Sequence, residues 1–296
     1  MPQVSFRKPN FKLLSDENKT IADMHYHTKY SADSIASPRL AMKKAKKLGI
    51  AVAITDHNTI EGAREMWKYR RDIQVIPGIE ITEVTGIHTL AYFYDFGELE
   101  EFYNSVIKPR LYKMPFFISK NLNYLLEAFR DYNCVNGIAH PFSPGPANIN
   151  HVKWNRKMLD SIDLIEGINA FNMKARNLMA IDFANKLNKG ITAGSDGHSI
   201  GELGGAVTIA EGDSNEEFLR SLVRGESRII GKENHILKKA MLLFGKETTA
   251  IRKNIKSRNQ LNMMRSMFHL NKESISAMLS NRNGKISKII NEKKNT

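Results

Sequence analysis

From about residue 21 to residue 231, the chain alternates short apolar runs with stretches whose apolar residues recur at helical spacing. The apolar runs predict strands, and the amphipathic stretches predict helices. Strands are predicted at residues 21–28, 50–56, 75–82, 89–94, 138–140, 164–169 and 191–195. Helices are predicted at residues 38–48, 59–71 and 174–187, and less distinctly in the segment leading to Leu159. Ser37 as N-cap and Gly49 at the end support the first of these helices.

Repeated βα units favour parallel strands with helices outside, as in a barrel or an open doubly wound sheet. The predicted strand 50–56 is apolar throughout, as expected of a strand buried on both faces. Residues 96–131 break this rhythm, because they contain many aromatics and two predicted helices. We interpret them as a helical insertion that could cover a site. The pattern therefore predicts an α/β fold.

The positive charge of the chain is concentrated at its C-terminal end. Residues 232–296 contain 15 Lys+Arg and 4 Asp+Glu, whereas the first 231 residues contain 29 and 27. This difference predicts a domain of residues 1–231 and a basic, mostly helical C-terminal extension of residues 232–296. The extension is compatible with a solvated appendage packed on the barrel, with nucleic-acid contact, or with attachment to a membrane surface.

Composition narrows the class of protein further. A hydrophobic content of 42% is ordinary for a globular protein, and no apolar run approaches the roughly 20 residues that span a bilayer. The N-terminus lacks the apolar stretch of a signal peptide. Cys134, the single cysteine, cannot form an internal disulfide, and we interpret it as a small buried hydrophobe. These features predict a cytoplasmic protein without a membrane span.

Histidine and acidic side chains gather at the predicted strand ends. Six of the nine histidines and three acids form this series: His25, His27, Asp33, His57, Glu80, His88, His140, Asp196 and His198. Alternate residues of a strand face the same side, and the C-terminal strand ends of α/β barrels converge on the active site. Imidazole and carboxylate are ligands that divalent Zn, Mn or Fe accept. The series predicts a multinuclear metal site.

Taken singly, each member has an ordinary alternative. A lone His-x-His occurs on surface strands by chance, and Asp33 could cap a turn or form hydrogen bonds. His88 and His140 would each be weak candidates alone. The nine residues together are a much stronger signal, because they share one structural position across successive units.

Six short segments carry a resemblance to a known family. They are Asp23-Met24-His25-Tyr26-His27-Thr28, Ile54-Thr55-Asp56-His57, Pro77-Gly78-Ile79-Glu80, Ile87-His88, Ala139-His140-Pro141 and Gly194-Ser195-Asp196-Gly197-His198. Their order and content resemble the PHP (polymerase and histidinol phosphatase) superfamily over roughly residues 20–231. The resemblance implies a distorted (β/α)7 TIM-like barrel.

The same resemblance implies two to three divalent ions, with Mn, Zn or Fe as candidates and Mg as a further one. It assigns His25, His27, Glu80 and Asp196 to the first ion, with Glu80 bridging. The second ion would take Glu80, His88 and His140. Asp33, His57 and His198 would hold the third. No ligand position of the family pattern is missing from this chain.

Clustered divalent ions neutralise phosphate oxygens and lower the pKa of bound water to about 7, which provides hydroxide. We therefore expect a metal-dependent phosphoesterase acting on a small phosphorylated metabolite or nucleotide. One alternative is a nuclease or nucleic-acid-end phosphatase that uses the basic extension to hold the polymer. The other is a non-catalytic metallodomain in a larger assembly.

Four further residues receive supporting roles. Asp23 and Asp56 are predicted to fix the orientation of ligand imidazoles, with simple strand-end capping as the alternative. Arg176 is the candidate phosphate-binding residue, because a guanidinium binds phosphate in bidentate fashion; a solvated helix face is the alternative. Glu202 is either a support of the metal ligands or an ordinary loop residue.

Overall fold

The computed structural model describes residues 3–15, 19–112 and 117–233. Beyond Glu233, the predicted basic extension lies outside the described residues. The strands are β1 (Gln3–Ser5), β2 (Thr20–Tyr26), β3 (Ala51–Ile54), β4 (Val75–Thr82), β5 (His88–Phe93), β6 (Cys134–Ile138), β7 (Leu164–Asn169), β8 (Gly190–Gly194), β9 (Ala206–Ala210) and β10 (Arg228–Gly231). The α-helices are α1 (Phe11–Leu14), α2 (Pro38–Leu48), α3 (Glu61–Trp67), α4 (Phe96–Phe102), α5 (Leu122–Ala128), α6 (Arg156–Asp160), α7 (Lys174–Leu187) and α8 (Asn215–Val223).

The ten strands form one mixed sheet in the order β1-β10-β9-β2-β3-β4-β5-β6-β7-β8. Within it, β2 to β8 form a curled wall of seven strands, and the end of β8 returns to β2. There Tyr26 and Gly197 form a parallel bridge, and the Asp196 amide donates to the His25 carbonyl at 2.8 Å. The predicted α/β barrel-like fold is confirmed. We call this junction of β2 with the end of β8 the seam.

Gly194 permits the close approach at the seam. A Cβ atom at this position would lie 2.3 Å from the Cβ of His25 and 2.6 Å from its backbone nitrogen. Both atoms belong to a buried, closely packed strand, so moving either of them would destabilise the fold. The absence of a side chain at residue 194 is therefore a condition for bringing His25 next to the residues that follow β8.

Strand β5 departs from the expected parallel repeat. It pairs antiparallel with both β4 and β6. Only residues 83–87 connect β4 to β5, and a parallel crossover needs a dozen residues or more. The reversal places the beginning of β5, rather than its end, beside the end of β4. His88 thereby reaches the same end of the barrel as the other strand-end histidines.

Helix α8 closes the opposite end of the barrel. Its buried residues Phe218 and Leu222 pack in one apolar cluster with Met24 and Tyr92. The Asn215 side chain donates to the carbonyl of Val75 at 2.9 Å and so ties the helix to the first residue of β4. Helix α8 and strands β9 and β10 lie in a region for which the sequence pattern predicted no elements. Within the part of the chain that the structure describes, the opposite end, where most strands have their C-termini, stays open.

Residues 96–131 contain α4 and α5 between β5 and β6. A capping box formed by Asp95 and Glu98 begins α4. The chain between the two helices returns to the site end, where the Ile118 amide donates to the Thr82 carbonyl at 3.0 Å. This segment therefore runs along the outside of the barrel and contacts the rim beside β4.

Among the described residues, no helix is long and apolar enough to cross a membrane.

Candidate metal centre

All nine predicted ligand side chains meet at the open end of the barrel. They form four overlapping groups, and within each group the potential ligand atoms lie within 4.8 Å of one another. His25, His27 and Glu80 are fully buried, while His57 and Asp33 lie toward the solvent side. Strand geometry explains the convergence, because the parallel strands end at this face and β5 begins there.

The innermost group contains His25, His27, Glu80 and Asp196. The two Nε2 atoms of the histidines are 3.0 Å apart, and each lies 3.2 Å from Glu80 Oε2. Asp196 Oδ1 lies 3.8 Å from His25 Nε2 and 3.4 Å from His27 Nε2. Four ligand atoms therefore surround one point between β2, β4 and the end of β8.

The second oxygen of Glu80 serves a different pair of histidines. Glu80 Oε1 lies 2.8 Å from His88 Nδ1 and 3.1 Å from His140 Nε2. Because its two oxygens face two histidine pairs, Glu80 has the geometry of a bridging ligand. The structure thus brings together the residues that the resemblance assigns to the first and second ions, and the ion positions themselves stay a prediction.

The outer group lies around Asp33. Its Oδ2 atom is 2.9 Å from His198 Nε2 and 3.8 Å from His57 Nε2. His57 also turns its Nδ1 atom to within 3.1 Å of Glu80 Oε2. This imidazole therefore lies between the outer and the inner groups.

The donor set fits divalent cations. Tetrahedral ligands with bonds of about 2.1 Å lie about 3.4 Å apart, and the inner group spans 3.0–3.8 Å. Glu80 Oε2 is buried and accepts no hydrogen bond of good geometry from a described residue, although three imidazole nitrogens lie 3.1–3.2 Å away. Lone pairs of imidazole and carboxylate directed at one point require either protons or a cation between them.

The electrostatics of the protein alone supply protons at that point. Burial disfavours the charged form of His27, but the nearby carboxylates of Asp196 and Glu80 outweigh it and raise the pKa of His27 to about 9. Burial acts to raise the pKa of Glu80, yet nearby imidazoles, led by His57 and His25, hold it well below its usual range. Burial lowers the pKa of His57 itself to about 3. Cation binding would thus compete with protons on the inner histidines.

Two of the ligand residues have a left-handed backbone. His140 has a φ of 27° and Asp196 a φ of 47°, both unusual for residues other than glycine. Such conformations persist where surrounding contacts hold them, and they cluster at functional sites. Here the His140 amide donates to Glu166 Oε2, and the Asp196 amide donates to the His25 carbonyl, each at 2.8 Å.

Comparison with known proteins agrees with this geometry. A family model described as the PHP domain matches residues 23–238. The chain belongs to the PHP domain family. This confirms the family that the sequence motifs indicate. Family membership and the clustered ligands together support a metal-dependent hydrolase.

Individual relatives are distant or partial. A segment of 78 residues is 45% identical to the uncharacterized protein MJ1587 of Methanocaldococcus jannaschii, covering 22% of this chain and 46% of that protein. The chain thus matches less than half of the length of that relative.

Two solved structures share the fold. One is a two-domain protein from Bacteroides vulgatus containing a predicted PHP-like metal-dependent phosphoesterase, with a TM-score of 0.55, 16% identity and coverage of 83% of this chain and 74% of that chain. The other is the lesion-specific endonuclease PfuEndoQ from Pyrococcus furiosus, with a TM-score of 0.56, 17% identity and coverage of 81% and 72%. At these identities the similarity establishes the fold alone.

Asp23 and Asp56 accept hydrogen bonds from backbone amides and from a hydroxyl group rather than from ligand imidazoles. Asp23 accepts hydrogen bonds from the amides of Ser195 at 2.9 Å and Gly204 at 2.8 Å, which fastens β2 to the chain after β8. Asp56 accepts from the amide and the hydroxyl of Thr28. These contacts match the strand-end capping alternative, and they include no ligand imidazole among the described residues.

Glu202 and Arg176 contact the backbone beside ligand residues. Glu202 Oε2 accepts from the His198 amide at 3.1 Å, so it holds the loop that carries this histidine. Arg176 is partly buried on α7, and its guanidinium donates to the carbonyl of Phe142, two residues after His140. This contact places Arg176 beside the loop that follows β6. Its role toward phosphate stays a prediction.

Glu166 and Asn169 are residues of the centre that the sequence motifs missed. Glu166 Oε1 lies 3.0 Å from His25 Nδ1, and Asn169 Nδ2 donates to Asp196 Oδ2 at 3.3 Å. Both belong to β7, whose sequence Leu-Ile-Glu-Gly-Ile-Asn is fully buried and contains Glu166 as its one charged residue. A lone carboxylate in such a strand is a usable signal, because a buried charge needs partners.

Proposed function

We propose that this PHP domain is a metal-dependent phosphoesterase that hydrolyses a phosphate ester, with a small phosphorylated metabolite or nucleotide as its substrate. The observation that carries the proposal is the convergence of nine imidazole and carboxylate side chains at the open end of the barrel, where both oxygens of Glu80 face histidines. Divalent cations bind imidazole and carboxylate ligands of this kind. Hydrolysis of a phosphate ester is favoured when such cations neutralise its negative charge.

The ligand assignment is the one that the resemblance to the PHP family implies. His25, His27, Glu80 and Asp196 would hold one ion, Glu80, His88 and His140 a second, and Asp33, His57 and His198 a third, and the short contacts within each set support this division. Bound there, divalent ions supply charge neutralisation at phosphate oxygens and make water acidic enough to lose a proton near neutral pH.

The protein's own residues prepare the centre for this chemistry. Burial of His25 and Glu80 removes competing solvent, which strengthens every charge interaction in the inner group. His57 and Asp33 are partly exposed, so the outer group is the side from which a substrate would enter. Arg176, on α7 beside the loop after β6, would hold a phosphate oxygen.

The experiment is a combined metal and turnover measurement on the full chain. Protein reconstituted separately with Mn²⁺, Zn²⁺ or Fe²⁺ is assayed on p-nitrophenyl phosphate, nucleoside monophosphates and bisphosphates, sugar phosphates and histidinol phosphate. The His25→Ala and Asp196→Ala variants should lose both bound metal, by elemental analysis, and turnover while remaining folded. Variants that keep wild-type metal content would refute the ligand assignment. Metal-replete protein that is inactive on the whole panel would favour the non-catalytic metallodomain.

A second candidate, a nuclease or nucleic-acid-end phosphatase, is favoured by a basic stripe on α2. Arg39, Lys43 and Lys47 are exposed and four residues apart, so they lie along one line of the helix. Helix α2 has five basic residues and no acidic one. These three cations form no ion pair with a described residue. Like charges at this spacing disfavour the helix, so an anionic partner such as a phosphodiester strand would stabilise it.

The stripe adjoins the metal centre. It begins just after the loop that carries Asp33, and this loop is fixed to the centre because the Ile35 amide donates to the His198 carbonyl at 3.2 Å. Tyr30 and Ile35 on the same loop are 41% and 69% exposed, and surfaces that bind single strands combine cations with apolar stacking groups. A polymer lying along α2 would therefore reach the outer group.

Neutralising the stripe separates the two candidates. The triple variant Arg39→Gln, Lys43→Gln, Lys47→Gln should bind a fluorescent single-stranded oligonucleotide more weakly, with a salt slope smaller by about 2. Its turnover of p-nitrophenyl phosphate should stay at the wild-type rate. The charge-matched control Arg156→Gln, Lys157→Gln, Lys186→Gln changes three exposed cations on α6 and α7. Equal binding by both triple variants would remove the nuclease candidate's support.

A further inference from the structure

We propose that Glu166 is a positioning residue that couples the inner ion subsite to the second one, although it belongs to neither ligand set. The inference rests on the ligand assignment of the proposed function. Glu166 is 2% exposed and lies in the middle of β7, between the strands that carry His140 and Asp196. Each of its oxygens contacts a residue of a different subsite.

On the inner side, Glu166 selects the ring nitrogen that His25 offers to a cation. Its Oε1 atom lies 3.0 Å from His25 Nδ1, on the side of the ring away from Glu80. A carboxylate only accepts, so this contact requires the proton on Nδ1. Nε2 is then left with a lone pair directed at the inner group, and the charged partner increases its basicity.

On the second side, Glu166 holds the backbone of His140. Its Oε2 atom accepts from the His140 amide at 2.8 Å, and His140 has the left-handed φ of 27°. A histidine adopts this conformation only where its surroundings compensate the strain. The bond to Glu166 thus supports the orientation in which His140 Nε2 reaches Glu80 Oε1 at 3.1 Å.

Asn169 extends the network to a third ligand. Its Nδ2 group donates to Glu166 Oε2 at 3.1 Å and to Asp196 Oδ2 at 3.3 Å. One amide thereby links the positioning carboxylate to the carboxylate ligand after β8. Glu166 receives donors from His25, His140 and Asn169 together, so its acceptor-only chemistry is essential to the arrangement.

The Glu166→Gln variant tests the coupling because glutamine keeps the shape but loses half of the acceptors. Its amide NH₂ group would face a donor from either His25 or His140, so one contact is lost. Its neutral amide oxygen is a weaker acceptor than a carboxylate oxygen, so the other contact weakens too. The matched control is Asp163→Asn, which makes the same change three residues earlier. Asp163 accepts only from the Asn136 amide and side chain among the described residues, at the far end of the strand.

The measurement is titration of the metal-free full chain with Zn²⁺ against a competing chelator. We expect Glu166→Gln to bind two equivalents of Zn²⁺ about 10–100-fold more weakly, while Asp163→Asn stays within about twofold of wild type. A folded Glu166→Gln protein with wild-type Zn²⁺ affinity would overturn the proposal. Weakening of a single equivalent would overturn the coupling.

A second measurement locates the proton on the His25 ring in wild-type protein, so it does not depend on whether a Glu166 variant folds. Long-range ¹H–¹⁵N spectra of Zn²⁺-loaded wild-type protein, assigned with His25→Gln, should show the His25 proton on Nδ1. A proton on Nε2 would contradict the positioning role. Both measurements omit substrate, so their outcome is independent of turnover. Failure on the phosphoester panel would reject the proposed function and leave the Zn²⁺ result standing.

Discussion

At the scale of single residues, the charge of Glu80 organises the candidate centre. Its Oε2 atom faces the inner histidines and His57, and its Oε1 atom faces His88 and His140. A buried carboxylate with this many imidazole neighbours would be costly to keep without protons or cations between them. The same residue therefore concentrates the charge of the metal-free protein and would bridge the proposed ions.

Replacing Arg176 with lysine tests the proposed grip on phosphate. Lysine keeps the positive charge but loses the planar fork that binds two phosphate oxygens. We expect KM for a phosphoester to rise about tenfold with kcat nearly unchanged. Steady-state kinetics on the best substrate of the panel provide the measurement, and Arg156→Lys on exposed α6 is the control. Kinetic constants identical to wild type would leave Arg176 a structural residue that holds the Phe142 carbonyl.

Cys134 offers a test of local burial through its pH dependence. Burial, with smaller contributions from Asp163 and Glu98, raises the pKa of its thiol to about 12. A raised thiol pKa means that the reactive thiolate is scarce at pH 8 and grows about tenfold per pH unit up to pH 11. Alkylation by iodoacetamide, followed by mass spectrometry, should therefore be slow in native protein and fast in urea. Cys134 is half-buried, and equal rates at pH 8 in native and unfolded protein would contradict the raised pKa of its thiol.

Most side chains of the candidate centre could be predicted from the sequence, because their residue types recur at the ends of the predicted strands. Imidazoles and carboxylates at strand ends identify the nine candidate ligands, because the apolar runs before them fix where each strand stops. The supporting contacts were less predictable. Asp23 precedes a ligand by two residues, yet its partners Ser195 and Gly204 come from the far side of the seam. Only the closed barrel determines which groups those are.

At the scale of elements, the direction of β5 and the position of α8 decide where the site opens. The short connection 83–87 reverses β5 and brings His88 to Glu80. Helix α8 fills the other end with Phe218, Leu219 and Leu222. Neither feature can be predicted from the spacing of apolar residues. An apolar run predicts a strand but not its direction in the sheet, and an amphipathic pattern predicts a helix but not the end of the barrel on which it packs.

Truncating Phe218 tests the role of α8 as a closing element. This side chain is fully buried against Met24 and Tyr92, so Phe218→Ala should destabilise the fold by about 3–5 kcal/mol. Urea unfolding followed by circular dichroism measures the change. Val223→Ala, at the end of the same helix and 41% exposed, is the control and should cost less than about 0.5 kcal/mol. Equal effects of the two variants would mean that α8 is not a packed closure.

At the scale of the whole molecule, the metal centre joins strands that are far apart in sequence. Its ligands come from the ends of β2, β4 and β6, the start of β5, and the loops after β2, β3 and β8. Cations bound by these elements would bind the folded chain and not the unfolded one. Metal binding should therefore contribute to global stability in addition to any turnover.

Removing metal tests this linkage. Protein with free metal at 100 times Kd gains about 2.7 kcal/mol over the metal-free form. EDTA treatment should accordingly lower Tm by about 5 °C or more, and added Zn²⁺ or Mn²⁺ should restore it. The His25→Ala variant should show no change in Tm on either treatment. An identical EDTA response in wild type and His25→Ala would exclude the proposed inner group as its cause.

The close contact at Gly194 links closure of the barrel to the geometry of the candidate metal centre. The backbone contact that closes the barrel also sets the spacing between the imidazoles of β2 and the carboxylate of Asp196, since the His27 amide donates to Gly197 and the Asp196 amide to His25. Loosening of the wall and release of cations would then be a single event. Hydrogen exchange at these two amides should slow together as the centre fills, so deuterium uptake by the backbone would report cation binding without any substrate.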